Sequence, residues 1–145
     1  MIRIDYPSPA FRIEKRSGVD FIFDTFRKRW LKLSPEEWVR QNFLQYMTVT
    51  MNYPSTLIAV EKEIMLGELT KRFDILLYDS MHQPWLIVEC KAMSVALTDD
   101  VLQQVLRYSI PVPAQYLVIT NGSYTTGWKK ENGGLTLLQQ LPIWP

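Results

Sequence analysis

One cysteine and one histidine are all that the 145 residues contain of either type. A single thiol, Cys90, forbids an intramolecular disulfide and suits a reducing compartment. With His82 as the lone imidazole, a zinc site of the Cys/His kind cannot be assembled. No segment approaches the ~20 apolar residues that a membrane-spanning helix needs. The start, Met1-Ile2-Arg3-Ile4-Asp5-Tyr6-Pro7, lacks the apolar core of a signal peptide, so a cytoplasmic location without membrane contact is expected. Net charge is only +1, which gives bulk electrostatics no strong hold on nucleic acid. No Gly-x4-Gly-Lys-Ser/Thr loop occurs, so no ATP is expected as partner or substrate through that motif. Internal repeats and low-complexity stretches are also missing.

What is present suits a globular α/β chain. Hydrophobic residues make up 47%, an ordinary value, and the length fits one domain over residues 1–145. Residues 1–18 are mixed in character and read as a loosely packed arm. A short strand is expected over Val19 to Phe26. Ser34-Pro35-Glu36-Glu37 has the order of a helix start, with Ser at the N-cap, Pro at the first position and Glu at the third. That helix should run to about Met51, with Trp38, Phe43 or Leu44, and Met47 on its apolar face, and Asn52-Tyr53-Pro54 should end it. Strands are expected over Leu57–Ile64, Phe73–Tyr78 and Trp85–Cys90. Thr98-Asp99-Asp100 should cap a helix through about Ile110. An apolar strand follows at Ala114–Thr120. Two closing strands, Tyr124–Lys130 and Leu135–Leu141, flank Asn132-Gly133-Gly134. Arg27-Lys28-Arg29 with Lys32, Lys71-Arg72 and Lys129-Lys130 are local basic clusters whose default reading is a solvated face.

The chemistry concentrates in the middle. Asp79-Ser80-Met81-His82-Gln83-Pro84 has turn composition between two apolar runs, so the pair reads as a β-hairpin. A turn centred between Met81 and His82 sets Asp74 opposite Glu89. Facing residues of an antiparallel pair lie ~4.5–5.5 Å apart. Alternation puts Glu89 and Lys91 on one face and turns Cys90 to the other, where a buried, inert thiol is the expected state. Two facing carboxylates repel, and burial raises their pKa values. A hard divalent cation removes the conflict, because Mg2+ takes carboxylate oxygen and retains water. It can polarise a phosphoryl oxygen, and Lys91 beside it can offset developing negative charge. Taken alone, Glu-x-Lys in a strand more often marks a solvated ion pair. Here the Asp, the apolar strands and the fourteen-residue spacing agree.

Asp74-x14-Glu89-x-Lys91 resembles the motif of the PD-(D/E)xK nuclease superfamily, with Phe73 in place of the Pro of its label. More narrowly, the chain resembles the N-terminal nuclease domain of type I restriction-enzyme R subunits, as a small stand-alone version. Leu33-Ser34-Pro35-Glu36-Glu37-Trp38-Val39-Arg40-Gln41, Lys71-Arg72-Phe73-Asp74, Ile87-Val88-Glu89-Cys90-Lys91-Ala92 and Gln104-Val105-Leu106-Arg107-Tyr108 carry the likeness, and Val118-Ile119-Thr120-Asn121-Gly122 extends it. The resemblance implies a restriction-endonuclease-like core in the order α-β-β-β-α-β, a central mixed sheet flanked by helices. It implies a Mg2+- or Mn2+-dependent endonuclease or exonuclease acting on DNA. A homodimer or other restriction-system subunits are its implied protein partners. Asp74, Glu89 and the Cys90 carbonyl would bind the metal. Glu37 is the family-like third acid, with Glu36, Glu61 and Glu63 as alternatives. Gln104 and Tyr108, one helical turn apart, would support the site, and Tyr108 would contact the DNA backbone. Arg72, just before Asp74 and on the opposite face by alternation, reads on its own as a structural residue or a DNA phosphate contact. A catalytically inactive DNA-binding or protein-interaction module on the same fold is the competing expectation. Arg40, one turn from both helix acids, reads as a surface ion pair of little worth.

Overall fold

Apolar strands covered on both faces build the centre of the molecule. The structure, a computed structural model, describes residues 1–145. Its principal sheet has six strands in the order β4 (Ile58–Leu66), β5 (Leu69–Tyr78), β6 (Pro84–Cys90), β7 (Tyr116–Thr120), β8 (Thr125–Glu131) and β9 (Gly134–Leu137). All neighbours are antiparallel except β6 and β7, which run parallel and are joined by helix α2 (Asp99–Ser109). That crossover and the mixed sheet match the expected α/β architecture.

The helices occupy opposite faces. Helix α1 (Pro35–Gln45) brings Val39, Phe43 and Leu44 onto Ile75, Leu77, Leu86, Val88 and Val118. Helix α2 brings Leu106 onto Phe73, Leu76, Ile87, Leu117 and Ile119. Each such side chain, fully buried, contributes roughly 1.5–3 kcal/mol. Burial on both faces explains why β5 and β6 read as continuous apolar runs rather than as alternating ones.

Helix α1 starts as its sequence dictates: the Ser34 hydroxyl accepts from the Glu37 N–H at 3.0 Å. The helical path continues past Gln45 as a π-turn over Tyr46–Thr50, where the Met51 N–H reaches back to the Tyr46 carbonyl at 3.1 Å. The apolar face is Val39, Phe43 and Met47; Trp38 is only half-buried, against Phe11.

The N-terminal region departs from the expectation of a loose arm. Ile2 is buried and bridges to Thr125, so it extends the packing of the main sheet. Residues Ile13–Arg16 form β1, which pairs with β2 (Val19–Asp24), which in turn pairs with β3 (Arg29–Lys32). Ser17 and Gly18, both at positive φ, make the two-residue turn between β1 and β2. This separate three-stranded sheet buries Ile22 and Asp24 completely.

Candidate functional site

The β5–β6 hairpin sets the site. Its turn is held by Asp79, whose carboxylate accepts from the N–H groups of Met81 at 2.9 Å and Gln83 at 3.0 Å. The ladder pairs Ile75 with Val88, Leu76 with Ile87 and Leu77 with Leu86, with a bulge at Leu77 and Tyr78 beside Pro84. Pro84 can donate no ladder bond, so a strand start is where it fits. Extending this register one step sets Asp74 against Glu89, and there the ladder gives out. Carboxylates take over from carbonyls. The Asp74 N–H donates to Glu89 Oε1 at 3.2 Å, and the Cys90 N–H donates to Asp74 Oδ2 at 2.7 Å.

On the other side of β5 the pairing with β4 also fails at this level. Val60 pairs with Ile75 and Lys62 with Phe73, but Glu61 and Asp74 between them do not pair. Glu61 has a left-handed backbone, at φ 55°. Such a conformation costs of order 1–3 kcal/mol for a non-glycine residue and gathers at functional sites. Here it turns the Glu61 carboxylate toward α1, away from the alternation it would share with Glu63. Side-chain alternation in β5 shifts at the same point, with Phe73 joining Leu76 on the α2 face and Ile75 joining Leu77 on the α1 face.

Arg40 fills the space between α1 and these strands. Its guanidinium lies 2.8 Å from Glu37, 2.7 Å from Glu61, 2.9 Å from Asp74 Oδ1 and 3.4 Å from Glu36. The residue is buried, and its Nε–H has no acceptor. Burial alone would lower its pKa, but Glu37, Asp74 and Glu61 more than offset that and raise it. The surface ion pair expected at Arg40 is therefore corrected to a buried ionic hub. The error has a simple source: helical spacing shows i to i+3 and i+4 neighbours, whereas Glu61 and Asp74 come from distant strands.

Glu37 is saturated. It accepts from Arg27 at 2.9 and 2.8 Å, from Arg40 at 2.8 Å and from Gln41 at 3.1 Å. It does not reach back to its own N-cap, so the capping box is one-sided. Asp24, fully buried, pairs with Arg27. A continuous ionic chain thus runs Asp24–Arg27–Glu37–Arg40–Asp74. Glu36, more open, is held above the usual carboxylate range by partial burial and by Asp74.

Glu89 forms no ion pair. Burial and the neighbouring Asp74 push its carboxyl up to about 9. Lys91 is half-buried, free of salt bridges, and close enough to oppose this shift. Cys90 is buried in the α1-side core, and burial raises its thiol well above the ordinary value.

Helix α2 contributes less than expected. Gln104 is exposed, and its side chain hydrogen-bonds neither Asp74 nor Glu89. Tyr108 is tied to the beginning of β5. Its hydroxyl accepts from the Arg72 N–H at 2.9 Å, its ring packs on Phe73, and Lys71 lies over it at 4.4 Å. Arg72 is exposed and pairs with Glu63 at 2.6 Å.

A family model described as the type I restriction enzyme R protein N terminus matches residues 35–142. The chain belongs to that family. Among solved structures it is similar to the type IIG restriction endonuclease BpuSI, at 20% identity and a TM-score of 0.42. That match covers 73% of this chain and 12% of the enzyme's. No curated protein matches the chain. The family match takes in α1, the hub, the hairpin and α2, and leaves β1–β3 outside it.

The site can be tested for a cation by its chemistry. No three His, Cys, Asp or Glu side chains are gathered into a ready-made metal cage. Mg2+ does not require one: it is commonly held by one or two carboxylates with several waters. Asp74 and Glu89 supply hard oxygen donors across the opening ladder, and Glu89 forms no ion pair. The donor set fits such an ion, with Arg40 as its competitor for Asp74. No helix in the structure is long and apolar enough to cross a membrane.

Proposed function

We propose that this chain is a Mg2+- or Mn2+-dependent nuclease that hydrolyses phosphodiester bonds of DNA in the cytoplasm. Family membership supports the reading. The observation that carries it is the Asp74–Glu89 pair at the point where β5 and β6 stop pairing, with Lys91 next along. Asp74, Glu89 and the Cys90 carbonyl would hold the cation. When bound, the ion supplies Lewis acidity toward a phosphoryl oxygen and lowers the pKa of attached water.

The chain's own groups do the rest. Lys91 Nζ keeps an ammonium free of structural ion pairs, available to orient a water and to offset charge developing at the phosphate. Glu36, exposed on its outer side and raised above the usual carboxylate range by partial burial and by Asp74, is the open acid on α1 beside the pair. Glu37, saturated by three side chains, positions Arg40. Glu61 is held by Arg40, and Glu63 by Arg72. Tyr108 and Lys71 flank the start of β5, where a DNA backbone could rest.

One observation favours a second reading, an inactive binding module. Arg40 already brings positive charge to within 2.9 Å of Asp74, where a catalytic cation would otherwise supply it. Incubation of plasmid and short oligonucleotides with Mg2+ or Mn2+ separates the two. The nuclease reading requires metal-dependent cleavage that is lost in Lys91→Ala while folding is retained. Absence of cleavage on every DNA substrate, or equal cleavage by Lys91→Ala, overturns it.

A further inference from the structure

The sheet outside the family match has an unusual outer face. Cross-strand register puts Phe21, Phe23 and Trp30 on one side, opposite to the buried Ile22 and Asp24. Phe23 and Trp30 meet edge to face at 5.4 Å. None of the three rings packs against either hydrophobic core, and each remains partly exposed. Cations interleave them. The Arg12 guanidinium lies 4.9 Å from the Phe23 ring centre, and that of Arg16 lies 5.0 Å from that of Trp30. Lys32, directly across from Phe21, shares the face.

Charge is uneven along the chain in the same sense. Residues 12–32 hold seven Lys and Arg against three Asp and Glu. The whole chain carries a net charge of only +1, so the remaining residues are net acidic. Asp24 and Arg27 spend their charges inside the ionic chain. On the aromatic face Arg12, Arg16 and Lys32 outnumber one acid, Glu14, which lies across from Phe21 and pairs with Arg16 at 2.8 Å, so a phosphate would displace it there. The ionic chain ties the sheet to α1 and thus holds it beside the candidate site.

We propose that this face binds a single nucleic-acid strand, with bases stacked on Phe21, Phe23 and Trp30 and phosphates paired with Arg12, Arg16 and Lys32. Interleaved rings and cations are what a single strand requires: every base has a π-face to stack, and each phosphate releases counterions when neutralised. A duplex hides its bases and gains only the charge contacts. The proposal rests on nucleic acid being the substrate class of the proposed function, but not on hydrolysis.

Fluorescence anisotropy of the full chain tests it, in EDTA so that no cleavage intervenes. The probes are a labelled twenty-nucleotide oligothymidylate, an abasic strand of equal length and a duplex. Oligothymidylate should bind about fivefold or more tighter than the abasic strand, the lower bound for one stacked base. The double variant Arg12→Glu/Arg16→Glu should bind at least tenfold more weakly, and its log-log salt slope should shrink by about 1.4, the share of two phosphate contacts on a single strand. Both arginines are exposed, and Lys32→Glu gives a second charge reversal that leaves both guanidinium stacks intact. Trp30→Phe should preserve binding and Trp30→Ala should weaken it. Equal affinity for the abasic strand overturns the stacking platform. Unchanged affinity in both charge reversals overturns the surface. If cleavage is absent while this binding pattern holds, only the nuclease reading fails. If cleavage persists while the charge reversals bind normally, only this proposal fails.

Discussion

Replacing Arg40 by Met should destabilise the metal-free protein by about 3 kcal/mol, at the low end of the ~3–5 kcal/mol seen when one partner of a buried ion pair is removed. The structure sets the low end. Glu37 keeps Arg27 and Gln41 when Arg40 is lost, so its charge stays compensated. Glu36 and Glu61 are partly exposed, and screened pairs of that kind contribute about 0–1 kcal/mol each. Met also removes the unpaired Nε–H, whose burial costs roughly 1–3 kcal/mol. The main loss is Asp74, left in a half-buried position with no cation and only the Cys90 N–H. Urea unfolding in EDTA at neutral pH measures the difference directly. Thermal melting should fall by about 6–12 °C, at ~2–4 °C per kcal/mol for a domain of this size. Saturating Mg2+ should recover part of the loss if the ion takes over the charge at Asp74. A loss under about 1 kcal/mol would mean that the hub is a solvated surface network, and the reasoning would fail.

Glu89 should impose a pH dependence. Its carboxyl is raised from 4.5 to about 9, by burial and then by Asp74, so across that window the folded state keeps a proton that the unfolded state has released. Metal-free stability should therefore decline as pH rises from about 4.5 to about 9. Glu89→Gln should flatten that decline, and an unchanged slope in a urea series would contradict the assignment. Glu61→Gly should be more stable than Glu61→Ala by about 1 kcal/mol, because only glycine adopts the left-handed backbone without strain; equal melting temperatures would argue against that backbone. Tyr108→Phe should cost about 0.5–1 kcal/mol for the lost acceptor of the Arg72 N–H. Gln104→Ala should leave stability and cleavage unchanged, and a marked loss of cleavage would restore the sequence-based role of that helix.

The register of the β5–β6 hairpin was legible because Asp79 and the following residues have strong turn chemistry, and register fixes everything between the turn and Glu89. The start of α1 was legible for a similar reason, since Ser34-Pro35 is a local signal. The parallel β6–β7 step followed from the helix between them. A local signal also existed for what was missed at the N-terminus: Ser17-Gly18 is a two-residue hairpin dipeptide, set between the expected strand from Val19 and Ile13–Arg16, a strand too polar to stand out. Its polarity is explained by a sheet that buries one narrow row, Ile22 and Asp24, and leaves the rest to solvent. Two features had no local signal at all. Arg40 acquires its partners from α1, β4 and β5 together, and a positive φ at Glu61 is a tertiary result that a glutamate does not announce. Gln104 is less legible: it shares a helix face with Tyr108, which reaches the Arg72 N–H, yet makes no hydrogen bond to Asp74 or Glu89.

The nuclease reading depends most directly on a divalent cation at Asp74 and Glu89. Isothermal titration of the metal-free protein with Mn2+ measures it without requiring turnover. The account predicts one site in the natural protein, its loss in Asp74→Asn, its weakening in Glu89→Gln and its retention in Lys91→Ala. Tighter binding is expected in Arg40→Met, where the internal competitor for Asp74 is gone. Mn2+ binding that is absent at millimolar concentration, or that survives unchanged in Asp74→Asn, would contradict the metal site and leave the inactive binding module as the better description.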